Sequence, residues 1–354
     1  MASLALGKIL DTHKSLVRAP SVGIRRGKNG LLITSVAQSG LTLWSRIEAG
    51  GEPLDATVDT ASFAALVKSD NEALLELRDG RLHVKCGRIK GDIPSQTEEQ
   101  PRHPKFEGVT ISANDVKWLC ENLPKVTVSD LNRTGLLSVE CDGKEWRVSC
   151  ADDIHGACMF SAGASKIKFS LAPSDADSFR ALLNLANGGE VLIGFREPML
   201  IIKAGDHSGI IPTVTGKAQT REVVTSGIQL VAKFSAPVFQ EALSVLKPVA
   251  SAKDAKPISV KLQDKGILLS VTSPAGSVEN FVPARIDTKT RGILGLEFRL
   301  SFPLTTSLVS RAFEETSLLV RFEKNAKGEA EVARINLRCG PKDSELHLVM
   351  LTAM

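Results

Sequence analysis

One order of elements, a strand, a helix and three strands, is written twice between Phe234 and Met354, and a chain built on such a repeat has few ways to fold. Ser235 precedes Pro237, and Phe239, Ala242, Leu243 and Leu246 fall on one face, which predicts a short capped amphipathic helix. Residues 258–262, 266–272 and 277–286 read as strands separated by Asp-Lys-Gly and Pro-Ala-Gly turns, which join antiparallel neighbours. The order then restarts, with a strand at 297–301, a helix at 303–313 and strands at 317–323, 331–338 and 345–351.

The same order is legible from the first residues. Leu6, Ile9, Leu10, His13 and Val17 share one face of a helix over 4–17 that ends before Pro20, with Lys8, Ser15 and Arg18 on the other. Strands are predicted at 30–36, 41–47 and 55–58, a helix at 60–68, and strands at 73–77, 81–86 and 88–93. Residues 96–105, with Pro101 and Pro104 among polar neighbours, read as a poorly packed linker. In the middle block a strand at 108–111 leads into a helix capped by Ser112 with Asp115 three residues on, whose buried face is Val116, Leu119, Cys120 and Leu123. Strands at 134–141, 145–150, 156–161 and 166–171 follow. Ser174 with Asp177 is read as the cap of the next helix, which buries Phe179, Leu182, Leu183 and Ala186. Strands at 190–195, 198–204 and 207–213 close the block, and 216–225 reads as a second linker. A doubled unit therefore occurs three times, and periodicity of this kind constrains a fold more than any single motif.

Composition removes other classes. At 354 residues and 43% hydrophobic content the chain exceeds what one core holds, so two or three domains are expected. A net charge of +4 from 44 basic and 40 acidic residues leaves no polybasic tail, so an anionic partner has to be met by locally placed charge. The six cysteines form no Cys-x-x-Cys pair and several fall in apolar runs, the pattern of buried thiols in a reducing cytoplasm. No apolar run is long enough to span a membrane and no secretory leader is evident, so a soluble, cytoplasmic protein is expected.

Enzymatic motifs are missing. The sequence has no Gly-x-x-x-x-Gly-Lys-Ser/Thr loop, no Gly-x-Ser-x-Gly turn and no His-Glu-x-x-His pair. His13, on an apolar helix face, reads as a hydrogen-bonded core residue rather than a ligand. Asp152-Asp153-Ile154-His155 has the residue types of a metal or acid/base site but lacks further ligands nearby. Gly87-Arg-Ile-Lys-Gly91 reads as a strand turn, since no helix follows it. No catalytic residue, metal or cofactor is expected.

Several strings resemble the bacterial-type β sliding clamp, the ring-shaped processivity factor of DNA polymerases, and the resemblance covers nearly the whole chain. Arg81-Leu-His-Val-Lys-Cys-Gly-Arg88 looks like the end of that family's first domain. Cys150-Ala-Asp-Asp-Ile-His-Gly-Ala157 looks like its Thr-Asp-Gly-His-Arg-Leu-Ala segment, and Leu346-His-Leu-Val-Met-Leu-Thr-Ala-Met354 like its apolar C-terminus. The Gly-His-Arg-Leu core has become Asp153-Ile154-His155-Gly156, and the final Met-Pro-Met has become Met350-Leu351-Thr352, which marks a distant member and leaves a viral source open. The resemblance implies an α+β fold of three tandem clamp domains, 1–105, 106–218 and 219–354, each a doubled β-α-β-β-β unit. Helices would line a ring and sheets would form its outside.

It further implies a homodimer, since six domains complete the ring, that encircles double-stranded DNA without reading sequence. DNA polymerase and a clamp loader would dock through short peptide motifs. DNA-facing candidates are Lys8, Arg18, Lys68, Lys117, Arg133, Arg180, Lys247 and Arg311, each also readable as an ordinary solvated side chain. The peptide pocket carried over position by position is Ile154, His155, Gly156, Pro212, Leu348, Met350 and Thr352, with the buried face of a closing strand as the alternative reading of the last residues. A β-rich structural or assembly protein, for example viral, is the alternative function.

Overall fold

The computed structural model describes residues 2–28, 30–67, 72–96, 101–127, 135–151, 155–215, 227–287, 294–295, 297–310, 312, 314–324, 330–339 and 346–351. The first repeat comprises α1 (Ala2–Leu16), β1 (Ser21–Gly27), β2 (Gly30–Val36), β3 (Thr42–Ile47), β4 (Leu54–Asp59), α2 (Thr60–Leu66), β5 (Ala73–Arg78), β6 (Arg81–Cys86) and β7 (Ile89–Pro94). The second comprises β8 (Val109–Ile111), α3 (Ala113–Val126), β9 (Leu136–Asp142), β10 (Glu145–Ala151), β11 (His155–Ala162), β12 (Lys166–Leu171), α4 (Ala176–Asn184), β13 (Val191–Arg196), β14 (Met199–Ala204) and β15 (His207–Pro212). The third comprises β16 (Ile228–Ser235), α5 (Ala236–Ala250), β17 (Ile258–Gln263), β18 (Gly266–Ser273), β19 (Gly276–Ile286), β20 (Glu297–Leu300), α6 (Phe302–Val309), β21 (Glu315–Lys324), β22 (Ala330–Cys339) and β23 (Leu346–Leu351). All strand pairings among the described residues are antiparallel.

The chain divides into two compact units, residues 1–120 with 177–213, and residues 121–176 with 214–354. The first holds a sheet in the order β4-β1-β2-β3-β15-β14-β13-β8 and a smaller one, β5-β6-β7. Pairing of β3 with β15, His207 opposite Ser45 and Ser208 opposite Trp44, carries the eight-stranded sheet from the first repeat into the second. Leu6, Ile9 and Leu10 of α1 meet Val22, Ile24, Ile33, Phe63, Leu82 and Val84 in one buried cluster, so the helical spacing and the strand alternation converge on one core. The second unit holds a twelve-stranded sheet, β12-β9-β10-β11-β23-β22-β21-β16-β19-β18-β17-β20. There β11 pairs with β23, joining the second repeat to the third.

Caps explain where some helices begin. Asp59 accepts the Ser62 backbone N–H at 2.7 Å, and the Ser62 hydroxyl first, then this backbone bond, hold its carboxyl below the usual value. Asp115 N–H donates to Ser112 Oγ at 3.2 Å, as the capping pattern predicts. Ser174 does not cap: Pro173–Asp175 forms a 3₁₀ turn and α4 starts only at Ala176, because the proline presets the turn one residue earlier. Ser235 does occupy the N-cap of α5, but its hydroxyl makes no capping bond.

Three further expectations need correction. Strand β1 was not anticipated, since Val22, Gly23 and Ile24 are all buried and break the alternation that marks a half-buried strand. Strand β16 is not predicted because its residues follow the polar stretch read as a linker, 216–225, which is separated from it by two residues and lies outside the described residues. In the first linker, residues 101–105 are irregular but held against the sheet: Trp44 Nε1 donates to the Pro101 carbonyl at 3.2 Å, and His103 stands edge-on to the Trp44 ring at 5.6 Å between centroids. A buried indole has to find an acceptor, and the irregular chain supplies it.

Candidate nucleic-acid and partner surfaces

On α1 the buried face is Leu6, Ile9, Leu10 and His13, and Lys8 projects from the opposite, exposed side. Arg18, also exposed, follows the helix with φ 51°, a left-handed turn that stops α1 and swings the chain into β1. Lys117 is exposed on α3, and Lys247 is exposed in the last turn of α5, where a cation complements the free carbonyls of the helix end. Arg180 on α4 is less free than the sequence suggests, because it meets Asp177 one turn earlier at 3.4 Å. An exposed pair of this kind is worth little to stability and is readily exchanged for another anion. Lys68, Arg133 and Arg311 lie outside the described residues.

The strand pairing β11–β23 sets His155 opposite Met350, Gly156 opposite Val349 and Ala157 opposite Leu348. Met350 also stands opposite Ile335 of β22. Leu346 and Leu348 alternate onto one face of the sheet and are fully buried there, on the same face as Val148, Met159 and Leu337. Leu348 therefore supports the strand from beneath. Pro212 ends β15, half-buried, opposite Met199. Ile154, Thr352 and the side chains of His155 and Met350 lie outside the described residues.

One polar constellation escaped the sequence. His13 Nδ1 is hydrogen-bonded to Ser35 Oγ at 2.8 Å and its Nε2 to Ser45 Oγ at 2.8 Å, while Ser45 Oγ also meets His207 Nδ1 at 2.7 Å. Ser45 has one proton and two acceptor lone pairs, so it donates to at most one imidazole and accepts from at least one, the tautomers deciding which. Burial, with His207 beside it, pushes the His13 imidazole down to about 3, and burial lowers His207 as well. Ser45 is fully buried, and this arrangement binds α1 to β2, β3 and β15. Only His13 had a sequence signal, its place on an apolar face; the partners are 22, 32 and 162 residues apart in the chain and no local pattern links them. Among the described residues no group of three His, Cys, Asp or Glu side chains is placed to hold a metal ion.

No protein-family model matches the chain, and no curated protein matches it by sequence. Solved structures do match it from end to end. A DNA polymerase sliding clamp from Pseudomonas aeruginosa aligns with a TM-score of 0.78 at 15% identity, covering 100% of this chain and 98% of its own. The DNA polymerase III beta subunit of Thermotoga maritima gives 0.78 at 13% identity, with the same coverage of each chain. The DNA polymerase III beta chain of Streptococcus pneumoniae gives 0.79 at 11%, again with that coverage. The chain has the sliding-clamp fold. With so few identical residues, the clamp fold is specified here by the pattern of buried and exposed positions, which is what fixes register and layer packing. No helix among the described residues is long and apolar enough to cross a membrane.

Proposed function

We propose that this protein is a sliding clamp, a homodimeric ring that encircles double-stranded DNA and tethers a DNA polymerase for processive synthesis, with no catalytic group of its own. The observation that carries the reading is the end-to-end match in fold, through all three repeats, to proteins named as DNA polymerase sliding clamps. Domains at 1–105, 106–218 and 219–354 each supply two helices to the DNA side. Lys8, Arg18, Lys68, Lys117, Arg133, Arg180, Lys247 and Arg311 track phosphates there without reading bases. Polymerase and clamp loader dock by short peptides at Ile154, His155, Gly156, Pro212, Leu348, Met350 and Thr352. The ring works in the cytoplasm of a bacterial or phage-infected cell.

Two chemical features support the dimer. Strand β5 is an edge of its three-stranded sheet and carries the exposed side chains Leu74, 63% exposed, and Leu77. Strand β20 is an edge of the twelve-stranded sheet. Open edges bearing apolar side chains pair with whatever strand they meet, and a head-to-tail contact that closes satisfies both ends of the chain in one ring. Sedimentation at micromolar concentration is expected to give about twice 37.9 kDa, and Leu74→Lys with Leu77→Lys to shift the protein toward 37.9 kDa. A stable trimer, or a double variant that remains fully dimeric, would count against this assembly.

A further inference from the structure

The sheet face opposite α1 carries a basic cavity that the clamp reading does not use. Along β3, Ser45 points toward His13 and the core, so Trp44 and Arg46 lie on the other face, and the register places Leu32, Ser208 and Lys203 there with them. The irregular segment 101–105 crosses this face, its Pro101 carbonyl held by Trp44 and its His103 packed on the indole. Between segment and sheet a cavity of about 130 Å³ remains, lined chiefly by Trp44, Arg46, His103, Lys203, Asp206 and Ser208. Arg46 N–H donates to the Asp206 carbonyl at 3.0 Å, which fixes the turn after β14 against β3.

We propose that this cavity binds a phosphate group, carried either by inorganic phosphate or by a small nucleotide. Arg46 and Lys203 bring two cations to one cavity, and among the described residues neither is within ion-pair distance of a carboxylate. Asp206 offsets one of the two charges and Ser208 supplies a hydroxyl donor, a combination that suits a compact anion with several acceptor oxygens. The volume holds a single headgroup, and anything larger has to extend out of the opening. His103 reports the field from within: burial first, then Arg46, and more weakly Lys203, hold its imidazole below the ordinary value against a hydrogen bond at Pro104. An anion seated between these cations removes that repulsion, so His103 gains a proton as phosphate binds. The site lies on the sheet face away from α1, and so apart from Lys8 on that helix.

The test uses the full-length protein alone, so it is independent of ring assembly and of any polymerase. The His103 ring resonance is followed against pH at constant ionic strength, with chloride, inorganic phosphate or adenosine 5′-monophosphate. Phosphate is expected to raise the His103 midpoint by about one unit relative to chloride. Arg46→Gln with Lys203→Gln is expected to abolish that shift and to weaken binding by about tenfold or more in calorimetry. Asp206→Asn is expected to tighten it, since the opposing charge is gone. Tighter binding of the monophosphate than of phosphate identifies a nucleotide; equal or weaker binding identifies phosphate itself. A His103 midpoint indifferent to phosphate, an equal response in the double variant, weaker binding in Asp206→Asn, or loss of linear-duplex binding in the double variant would each overturn the proposal.

Discussion

Between pH 7 and pH 4 the protein is expected to lose about 3 kcal/mol of folding stability through His13 alone. The imidazole titrates at about 3 in the folded protein and at its ordinary 6.5 once unfolded. Between these values the unfolded chain holds a proton that the folded chain does not. Stability from this depressed group is therefore complete above about 6.5 and falls as pH drops toward 3, by about 1.4 kcal/mol per unit. The cause is geometric: His13 is 1% exposed and both ring nitrogens are committed to Ser35 and Ser45, so a second ring proton would face a hydroxyl that has to reorient in a buried site. Urea denaturation of wild type and His13→Gln at pH 7, 5.5 and 4, read from tryptophan fluorescence, is the check. Asp59 and Asp142, whose carboxyls are also held low, add acid sensitivity to both proteins, and the difference between the two curves isolates the histidine. Parallel pH dependences would mean that His13 is protonated without loss in the folded state.

Met350→Asp is expected to reduce polymerase stimulation to background while the dimer persists, and deletion of residues 352–354 to do the same. Peptide docking concentrates its energy in a few buried apolar anchors, and loss of one typically costs about 2 kcal/mol or more, roughly a thirtyfold fall in affinity. The strand register sets residue 350 opposite His155, at the end of the pairing between β23 and β11. Leu348 supplies the control. It is fully buried, so Leu348→Ala should cost about 2–5 kcal/mol of stability. Primer extension on a singly primed circle, with sedimentation of each variant beside it, separates docking from folding. Undiminished stimulation by a dimeric Met350→Asp protein would move the docking site elsewhere.

The element order was legible from sequence because each repeat keeps its period: α1 shows its stripe at Leu6, Ile9, Leu10 and His13, and β6 and β12 match their expected bounds residue for residue. Elements that break period were not legible. In β1 three consecutive residues are buried, and in α4 a proline displaces the start of the helix from the serine expected to cap it. The surfaces were less legible than the fold. A lysine such as Lys8 can be placed on an exposed face by helical spacing alone, but the pairing of His155 with Met350 and the meeting of Ser45 with His207 depend on strand contacts between distant parts of the chain. Local sequence carries no record of those, and neither did it show that the proline-containing segment at 101–105 lies down on Trp44.

The claim that this fold serves as a clamp rests on topology, and topology can be measured directly. Labelled protein is assembled on nicked circular duplex DNA, with a clamp loader if assembly requires one, then passed through a sizing column in moderate salt and again after a single restriction cut. A ring held by encirclement stays with the circle through the salt and slides off once the ends are free, because weak phosphate contacts of the kind proposed for Lys8, Arg18 and Lys247 retain nothing by themselves. The account predicts co-elution with the circle and release on linearisation. Equal retention on circular and linear DNA, or failure to stay on the circle with a competent loader present, would contradict it.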